Sequence, residues 1–386
     1  MFLFQREHVR FEDLLDYLKA NPTNYSELDA NGNQGLYYSR LIGQLLAGQD
    51  IVLGDKDRAT GNLTFDLPPS FDKDSLINAI RESKSAIGIY TSGTTGGPRI
   101  HFHPVSNLIR TVKTGKGFEG AIWASAYNPS HMAFVQVFFQ ALLNGNLLIS
   151  LYGLSPAETK AAFEKQIITN LSGTPSFYRL LDLKFAATSV QTITMGGERM
   201  DSGLSEKIKV VFPMAKLRNI YASTEAGTLL NAEGEYFSIK PELENWVKVE
   251  DNQLLVHKTL LSRELAQEKE WFETGDVVDF HEDGSSFRIL GRRSDIVNVG
   301  GEKVSLPDVE NRALSLTGVS DARAFAIKNS LLGNLIGIDL VLKEGKEKDE
   351  IEWGQKMSAI MPEFMTPRII NFVEELELTR TLKKKR

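Results

Sequence analysis

Apolar residues at Phe11, Leu14, Leu15 and Leu18 follow the i, i+3, i+4, i+7 spacing of an amphipathic helix, which the pattern ends before Asn21-Pro22. Leu41, Ile42, Leu45 and Leu46 repeat that spacing, and Asp50-Ile51-Val52-Leu53-Gly54 then reads as a buried strand. Helix followed by strand predicts an α/β layer. Past the polar Pro68-Pro69 segment, Leu76, Ile77 and Ile80 mark another helix, and Ile87-Gly88-Ile89-Tyr90 a short apolar strand. Ser106 is expected to cap a helix that begins at Asn107. Residues 132–143 are almost wholly apolar, which predicts a helix buried between sheets, followed by Asn144-Gly145 and a strand at Leu147-Leu148-Ile149. Ser155-Pro156-Ala157-Glu158 has the spacing of a capping box with proline at the first helical position.

The second half of the chain adds two junctions and two hairpins. The run Val190-Gln191-Thr192-Ile193-Thr194-Met195 feeds Gly196-Gly197-Glu198, and Leu217-Arg218-Asn219-Ile220 feeds Tyr221-Ala222-Ser223-Thr224-Glu225. Alternation over 247–249 and 254–256 around Asp251-Asn252, and over 277–280 and 287–290 around Glu282-Asp283-Gly284, predicts hairpins. A helix after Leu306-Pro307, strands over 324–327 and 335–342, and turns at Pro362 and Pro367 predict a small α+β domain at the end. Ligands in open parallel sheets sit at the carboxyl ends of strands, so the junctions at 196 and 221 are expected to face the loop after Tyr90.

The chain has 386 residues with 42% hydrophobic side chains, enough for more than one domain. A net charge of −6 provides no general attraction to nucleic acid, so any polyanion site must be local. With no cysteine, disulfides, thiolate metal sites and a cysteine nucleophile are excluded, and any thiol chemistry needs a thiol from elsewhere. The apolar start is too short and too soon charged for a signal peptide. No run reaches the roughly 20 apolar residues of a membrane span, so a cytoplasmic location is expected.

The most chemically specific stretch is Tyr90-Thr91-Ser92-Gly93-Thr94-Thr95-Gly96-Gly97-Pro98-Arg99. Glycine lets backbone N–H groups approach phosphate oxygens, and four hydroxyls stand beside them as donors. The order is not that of a Walker loop, which requires Gly-Lys-Ser/Thr at a helix start. Gly115-Lys116-Gly117-Phe118-Glu119-Gly120 spells a dinucleotide fingerprint, but no buried strand precedes it, so that reading is rejected. His101 and His103 alternate on an extended segment without carboxylate partners and read as surface or packing residues rather than metal ligands.

The loop resembles the signature of the AMP-forming adenylating enzymes: acyl- and aryl-CoA synthetases, luciferases and peptide-synthetase adenylation domains. Further motifs follow in the family's order over residues from about 86 to the end: Gly196-Gly197-Glu198, Tyr221-Ala222-Ser223-Thr224-Glu225, Thr274-Gly275-Asp276, Gly291-Arg292-Arg293-Ser294-Asp295, Gly300-Gly301 and a terminal Arg380-Thr381 before Lys385. The resemblance implies an α/β fold: a large domain of layered sheets and helices over 1–294, with an abbreviated first subdomain, and a mobile α+β domain over 295–386.

It also implies roles. ATP phosphates would lie against Thr91, Ser92, Gly93, Thr94, Thr95, Gly96 and Arg99. Adenine would lie along Gly196, Gly197 and Glu198 and stack on Tyr221, beside Ala222. Thr224 would contact a phosphate and Glu225 would hold Mg²⁺. Asp276 and Arg292 would bind the ribose, Asp295 would be the hinge, and Gly300 and Gly301 would face the site in the second half-reaction. His131 would line the acid pocket. Lys385 would be the catalytic lysine, with Lys384 as the alternative register because it stands where the family has glycine. Arg99, Ala222 and Asn298 depart from the family's usual lysine, glycine and lysine.

The activity implied is ATP-dependent adenylation of a carboxylic acid, followed by acyl transfer to coenzyme A or a carrier-protein phosphopantetheine. A nucleotide-binding regulatory or interaction protein of the same fold, without turnover, is the alternative. Amino-acid-activating members pair the substrate ammonium with an aspartate in the pocket segment, yet residues 123–143 contain no Asp or Glu. The candidate lining residues there are Ala124, Ser125, Tyr127, His131, Phe134 and Val135. Aryl or fatty acids without an α-amine are therefore expected, with aromatic acids favoured because a short N-terminal region leaves less wall for a long tunnel.

Overall fold

A computed structural model describes residues 2–4, 7–9, 18, 34–53, 68, 70–91, 99–181, 185–200 and 202–376. The helix expected over 11–18 lies outside them except for Leu18, which is helical and buried. The signature loop at 92–98 and the terminal segment with Lys384 and Lys385 also lie outside. Two compact units divide the chain: Met1–Val247 with Val256–Phe272, and Lys248–Leu255 with Glu273–Arg386.

The first unit is built on an eight-stranded sheet. Its order is Gly227–Ala232, Lys216–Ser223, Thr192–Gly196, Asn170–Gly173, Ile122–Ser125, Leu147–Ser150, Phe2–Phe4 and Glu7–Val9. The six strands from Lys216–Ser223 to Phe2–Phe4 pair in parallel, as helices between them require, and the two outermost strands are antiparallel to their neighbours. A smaller sheet pairs Ala86–Thr91 in parallel with Ile51–Leu53 and antiparallel with Arg99–Pro104. The layered α/β architecture expected from the alternation of helices and strands is present.

Helix Met132–Leu142 lies in a core cluster that takes Ile87 and Ile89 from the smaller sheet and Leu148 from the larger, so its all-round apolar sequence matches burial between sheets. Tyr38 of helix Gln34–Leu46 stacks on Phe134 and Phe138, at ring centroid distances of 5.5 and 5.3 Å. Phe134 and Val135 are each 1% exposed, so these two belong to the packed core and not to an open lining. Helix Pro156–Lys165 has both bonds of the expected capping box. Ser106 is not a cap: helix Val105–Ile109 begins two residues before the expected Asn107, with Pro104 at its N-cap and no side-chain bond there. Proline fixes the backbone turn out of the strand, which displaces the serine into the helix.

Most of a four-stranded sheet belongs to the second unit, in the order Val247–Glu250, Gln253–His257, Trp271–Phe280, Phe287–Arg292. Its first hairpin turns at Asp251 and Asn252, both at positive φ, the geometry that Asp and Asn tolerate in a two-residue turn. A second sheet orders Glu302–Ser305, Ile296–Val299, Gly333–Leu342 and Val319–Asn329, with Ile369–Phe372 pairing alongside Gly333–Leu342. Helices Leu306–Ser315 and Glu350–Ser358 contribute Val309, Ala313, Trp353 and Met357 to its core. Among the described residues no helix is long and apolar enough to cross a membrane.

Candidate active site

The 92–98 segment joins the two strands of a hairpin, whose register runs from Ala86 opposite Pro104 to Thr91 opposite Arg99. The structure therefore carries the strand one residue past Tyr90, and Thr91 closes it by donating its hydroxyl to the Arg99 carbonyl at 3.4 Å. Gly88 gives the partner strand's side chains room inside this hairpin: a Cβ there would stand 2.9 Å from both Ile100 and Phe102 side-chain carbons, which would have to shift. In the outer strand Arg99–Pro104, His101 and His103 face inward and are buried.

Those histidines reach the second motif. Tyr221, Ala222 and Ser223 remain in strand Lys216–Ser223, with a register shift between Tyr221 and Ala222, and Thr224, Glu225 and Ala226 form the turn into Gly227–Ala232. Gly227 sits at φ 69°, the left-handed position that ends a three-residue hairpin loop. The Nε2–H of His103 donates to the Thr224 carbonyl at 2.7 Å. The amide of Ser262 donates to the Glu225 carbonyl at 2.9 Å, and its hydroxyl lies 3.1 Å from His101 Nδ1. Arg110 donates to the carbonyls of Ala226 at 2.8 Å and Thr228 at 2.6 Å. Every carbonyl from 224 to 226 is thus held from outside its own strand pair.

Electrostatics agree with this. Burial brings the His103 imidazole down to about 4, helped by the nearby His101 and Arg110 and opposed by the Thr224 bond and Glu264. The ring is therefore neutral at pH 7, and because a carbonyl only accepts, its proton is on Nε2. Arg110 is lowered to about 10 by burial and stays charged. Glu264 Oε2 accepts from the Phe102 amide at 3.0 Å, while the Arg263 amide donates to the Phe102 carbonyl at 2.9 Å, so residues 262–264 line the hairpin's outer strand.

Gly196 and Tyr221 lie at the ends of neighbouring parallel strands, with Gly196 opposite Ile220. A Cβ on Gly196 would come within 3.2 Å of the Ile220 carbonyl oxygen, which accounts for glycine there, and Gly197 turns the chain at φ 84°. Tyr127 donates its hydroxyl to the Gly173 carbonyl at 2.7 Å, and burial pushes that phenol up. Glu198 accepts from the amide and hydroxyl of Ser176 at 2.9 and 2.7 Å, at the start of helix Pro175–Leu180. Tyr221 meets Phe237 edge-on at 6.4 Å. His131 is the half-buried N-cap residue of helix Met132–Leu142.

Within the second unit, Asp276 and Arg292 face each other across a hairpin and form an ion pair, with Nε to Oδ1 at 3.0 Å. Thr274 shapes this pair: its hydroxyl accepts from the Asp276 amide at 3.0 Å and its carbonyl accepts from Arg292 at 2.9 Å. Asp295 ends the single 3-10 turn Arg293–Asp295 between the unit's two sheets. Gly300 and Gly301, at φ 62° and 97°, make the two-residue turn between strands Ile296–Val299 and Glu302–Ser305. Asn298 braces the turn by accepting from the Gly301 amide at 2.9 Å.

A family model described as AMP-binding enzyme matches residues 41–250, more than half of the chain. The chain belongs to the AMP-binding enzyme family. Among curated proteins it is 23% identical to the 2-succinylbenzoate–CoA ligase of Bacillus licheniformis over 334 residues, covering 78% of this chain and 68% of that protein. It is 25% identical to bacitracin synthase 3 of the same species over 339 residues, covering 77% of this chain and 5% of that protein. The peptide-synthase relatives are far longer: the chain spans between 5% and 14% of three of them. The fold matches that of o-succinylbenzoate CoA synthetase from Bacillus subtilis in complex with the acyl-adenylate intermediate OSB-AMP, with TM-score 0.64, 18% identity, and coverage of 77% of this chain and 67% of that one. A structure of that synthetase in complex with ATP and magnesium ion matches with TM-score 0.61 at 18% identity, covering 77% and 68%.

The residues that the family resemblance singles out fall in both units. Thr91, Arg99, Gly196, Gly197, Tyr221, Ala222, Thr224 and Glu225 lie in the first unit, and Asp276, Arg292, Asp295, Gly300 and Gly301 in the second. Sequence reasoning missed the role of His103, Arg110, Ser262 and Glu264. The inward alternation of His101 and His103 was the one available signal.

Proposed function

We propose that the protein is an ATP-dependent, AMP-forming acid–thiol ligase that adenylates an aryl or fatty carboxylic acid and passes the acyl group to coenzyme A or a carrier-protein phosphopantetheine. The observation carrying this reading is the attachment of the Thr224 and Glu225 turn to the hairpin that bears the phosphate-loop signature, through His103 at 2.7 Å. The strands on either side of the phosphate-loop sequence and the turn with a carboxylate suited to a phosphate-bound cation share one framework. Pyrophosphate departure needs that combination, because charge develops on the leaving oxygens.

Glu225 is half-buried, and among the described residues no group of three His, Asp or Glu side chains is arranged to hold a metal by itself. One carboxylate with substrate phosphates and water completing the shell is the coordination Mg²⁺ favours, so the donor set fits. Bound there, Mg²⁺ would supply charge neutralisation to the phosphates. Thr224 would hold a phosphate oxygen, the Gly196 and Gly197 backbone would leave room for a flat base, and Asp276 with Arg292 would accept and donate to the ribose hydroxyls. Lys385 would orient the acid's carboxylate, and rotation about Asp295 would separate the two half-reactions, with residues 295–386 as the moving part.

The absence of Asp and Glu over 123–143 supports acids without an α-ammonium. The test is a panel of carboxylic acids assayed by labelled pyrophosphate exchange into ATP with Mg²⁺, then by thioester formation with and without coenzyme A. Exchange with at least one amine-free acid is expected. Nucleotide binding without exchange across the panel would instead favour a regulatory protein of this fold.

A further inference from the structure

The geometry points to His103 as a positioning residue of the adenylation site: its Nε2–H fixes the Thr224 carbonyl, locking the Thr224 and Glu225 turn to the hairpin that carries the phosphate loop. The inference rests on the function proposed above and adds a residue that none of the sequence motifs contains. His103 lies 121 positions before Thr224, so the contact joins two motifs that are remote in the chain. It is not part of a regular ladder. The Thr224, Glu225 and Ala226 carbonyls stand in a hairpin turn, where no strand partner is available to them, and a three-residue loop can swing.

Three neighbours share the work. Ser262 holds the next carbonyl along while its hydroxyl meets His101, the other inward-facing histidine of the strand. Arg110 holds Ala226 and Thr228 and is anchored by donating to the Asn107 carbonyl at 3.0 Å. The backbone is thereby fixed at 224, 225, 226 and 228, while the Thr224 and Glu225 side chains remain half-buried and able to reach a ligand. Fixing the main chain and leaving the side chains accessible is what a preorganised phosphate and cation site requires.

Two substitutions separate positioning from bulk stability. Glutamine at 103 places an amide N–H near where Nε2 stands and can still meet the Thr224 carbonyl. Asparagine places its N–H near Nδ1, short of that carbonyl. His103→Gln is expected to stay within about threefold of the parent in pyrophosphate exchange, while His103→Asn loses about tenfold in kcat/KM for ATP, the size of one hydrogen bond. The KM for the acid should be unchanged in both. Amide hydrogen exchange at residues 223–227 should speed up in His103→Asn and not in His103→Gln, a readout that does not depend on turnover. Equal behaviour of the two variants, in kinetics and in amide exchange, would overturn the inference, as would parallel loss of ATP and acid affinity. If the parent protein shows no exchange with any acid, the proposed function fails by itself. The positioning role is then read from the affinity for Mg·ATP by calorimetry, weakened about tenfold only in His103→Asn if the inference holds and equally in both variants if it does not.

Discussion

The two compact units hold their motif residues in different ways. In the second, Asp276 and Arg292 are direct partners on one hairpin, and Thr274, two residues from the aspartate, shapes both. In the first, the Thr224 and Glu225 turn depends on His103, Arg110 and Ser262, which are remote in sequence and act on its backbone carbonyls. A site built by one hairpin survives as a local object. A site built by long-range grips exists only when the surrounding core has formed, so its chemistry and its stability are coupled.

The sharpest challenge to this contrast comes from Lys385, which lies outside the described residues. Lys385→Ala is expected to slow acyl-adenylate formation by roughly 10²–10³-fold, the loss typical of a contact made to developing charge, and to spare thioester formation from supplied acyl-AMP. Single-turnover assays of each half-reaction decide it, and failure of Lys384→Ala instead would move the register by one.

Arg110 should be next in size among the substitutions. Arg110→Met removes a half-buried charged donor from the Ala226 and Thr228 carbonyls, a loss of about 2 kcal/mol in stability, read as a lower denaturant midpoint. Arg110→Lys should recover only part, since one ammonium cannot reproduce the forked geometry.

His103 gives the pH dependence. Its folded-state value of about 4 lies below the ordinary 6.5, so the unfolded chain binds the extra proton between those limits. Its contribution is fully present above pH 6.5 and is lost as pH falls towards 4, amounting to about 3 kcal/mol there. The stability difference between the parent and His103→Gln should therefore shift by about that amount on acidification, because the parent loses stability and the glutamine variant does not titrate there. A constant gap between them would contradict a buried neutral imidazole.

The smallest stability effect is expected in the second unit. Arg292 keeps 48% of its side chain exposed, so Asp276→Asn should cost only about 1 kcal/mol of stability while raising the KM for ATP. A large loss of stability from that change would erase the contrast between the units.

What was legible in the sequence follows the same division. The hairpin with Asp276 and Arg292, the capping box at Ser155 and the buried helix Met132–Leu142 were readable because each is set by spacing over a few residues. The grips on Thr224 and Glu225 were not, because a histidine that meets a backbone carbonyl leaves no pattern at the carbonyl's own position. Phe134 and Val135 were misplaced for a related reason: an apolar residue near a pocket segment reads the same whether it lines a cavity or, as here, is buried in the core, where Phe134 stacks on Tyr38. Ser106 showed that a proline two residues earlier overrides a serine as the start of a helix.

The most direct test of the central claim is pyrophosphate exchange into ATP with Mg²⁺ in two matched pairs, phenylpropanoate against phenylalanine and 4-methylpentanoate against leucine. Exchange is expected with the amine-free acid in at least one pair, and slower exchange with its amino-acid counterpart. Faster exchange with the amino acid in both pairs would contradict the claim.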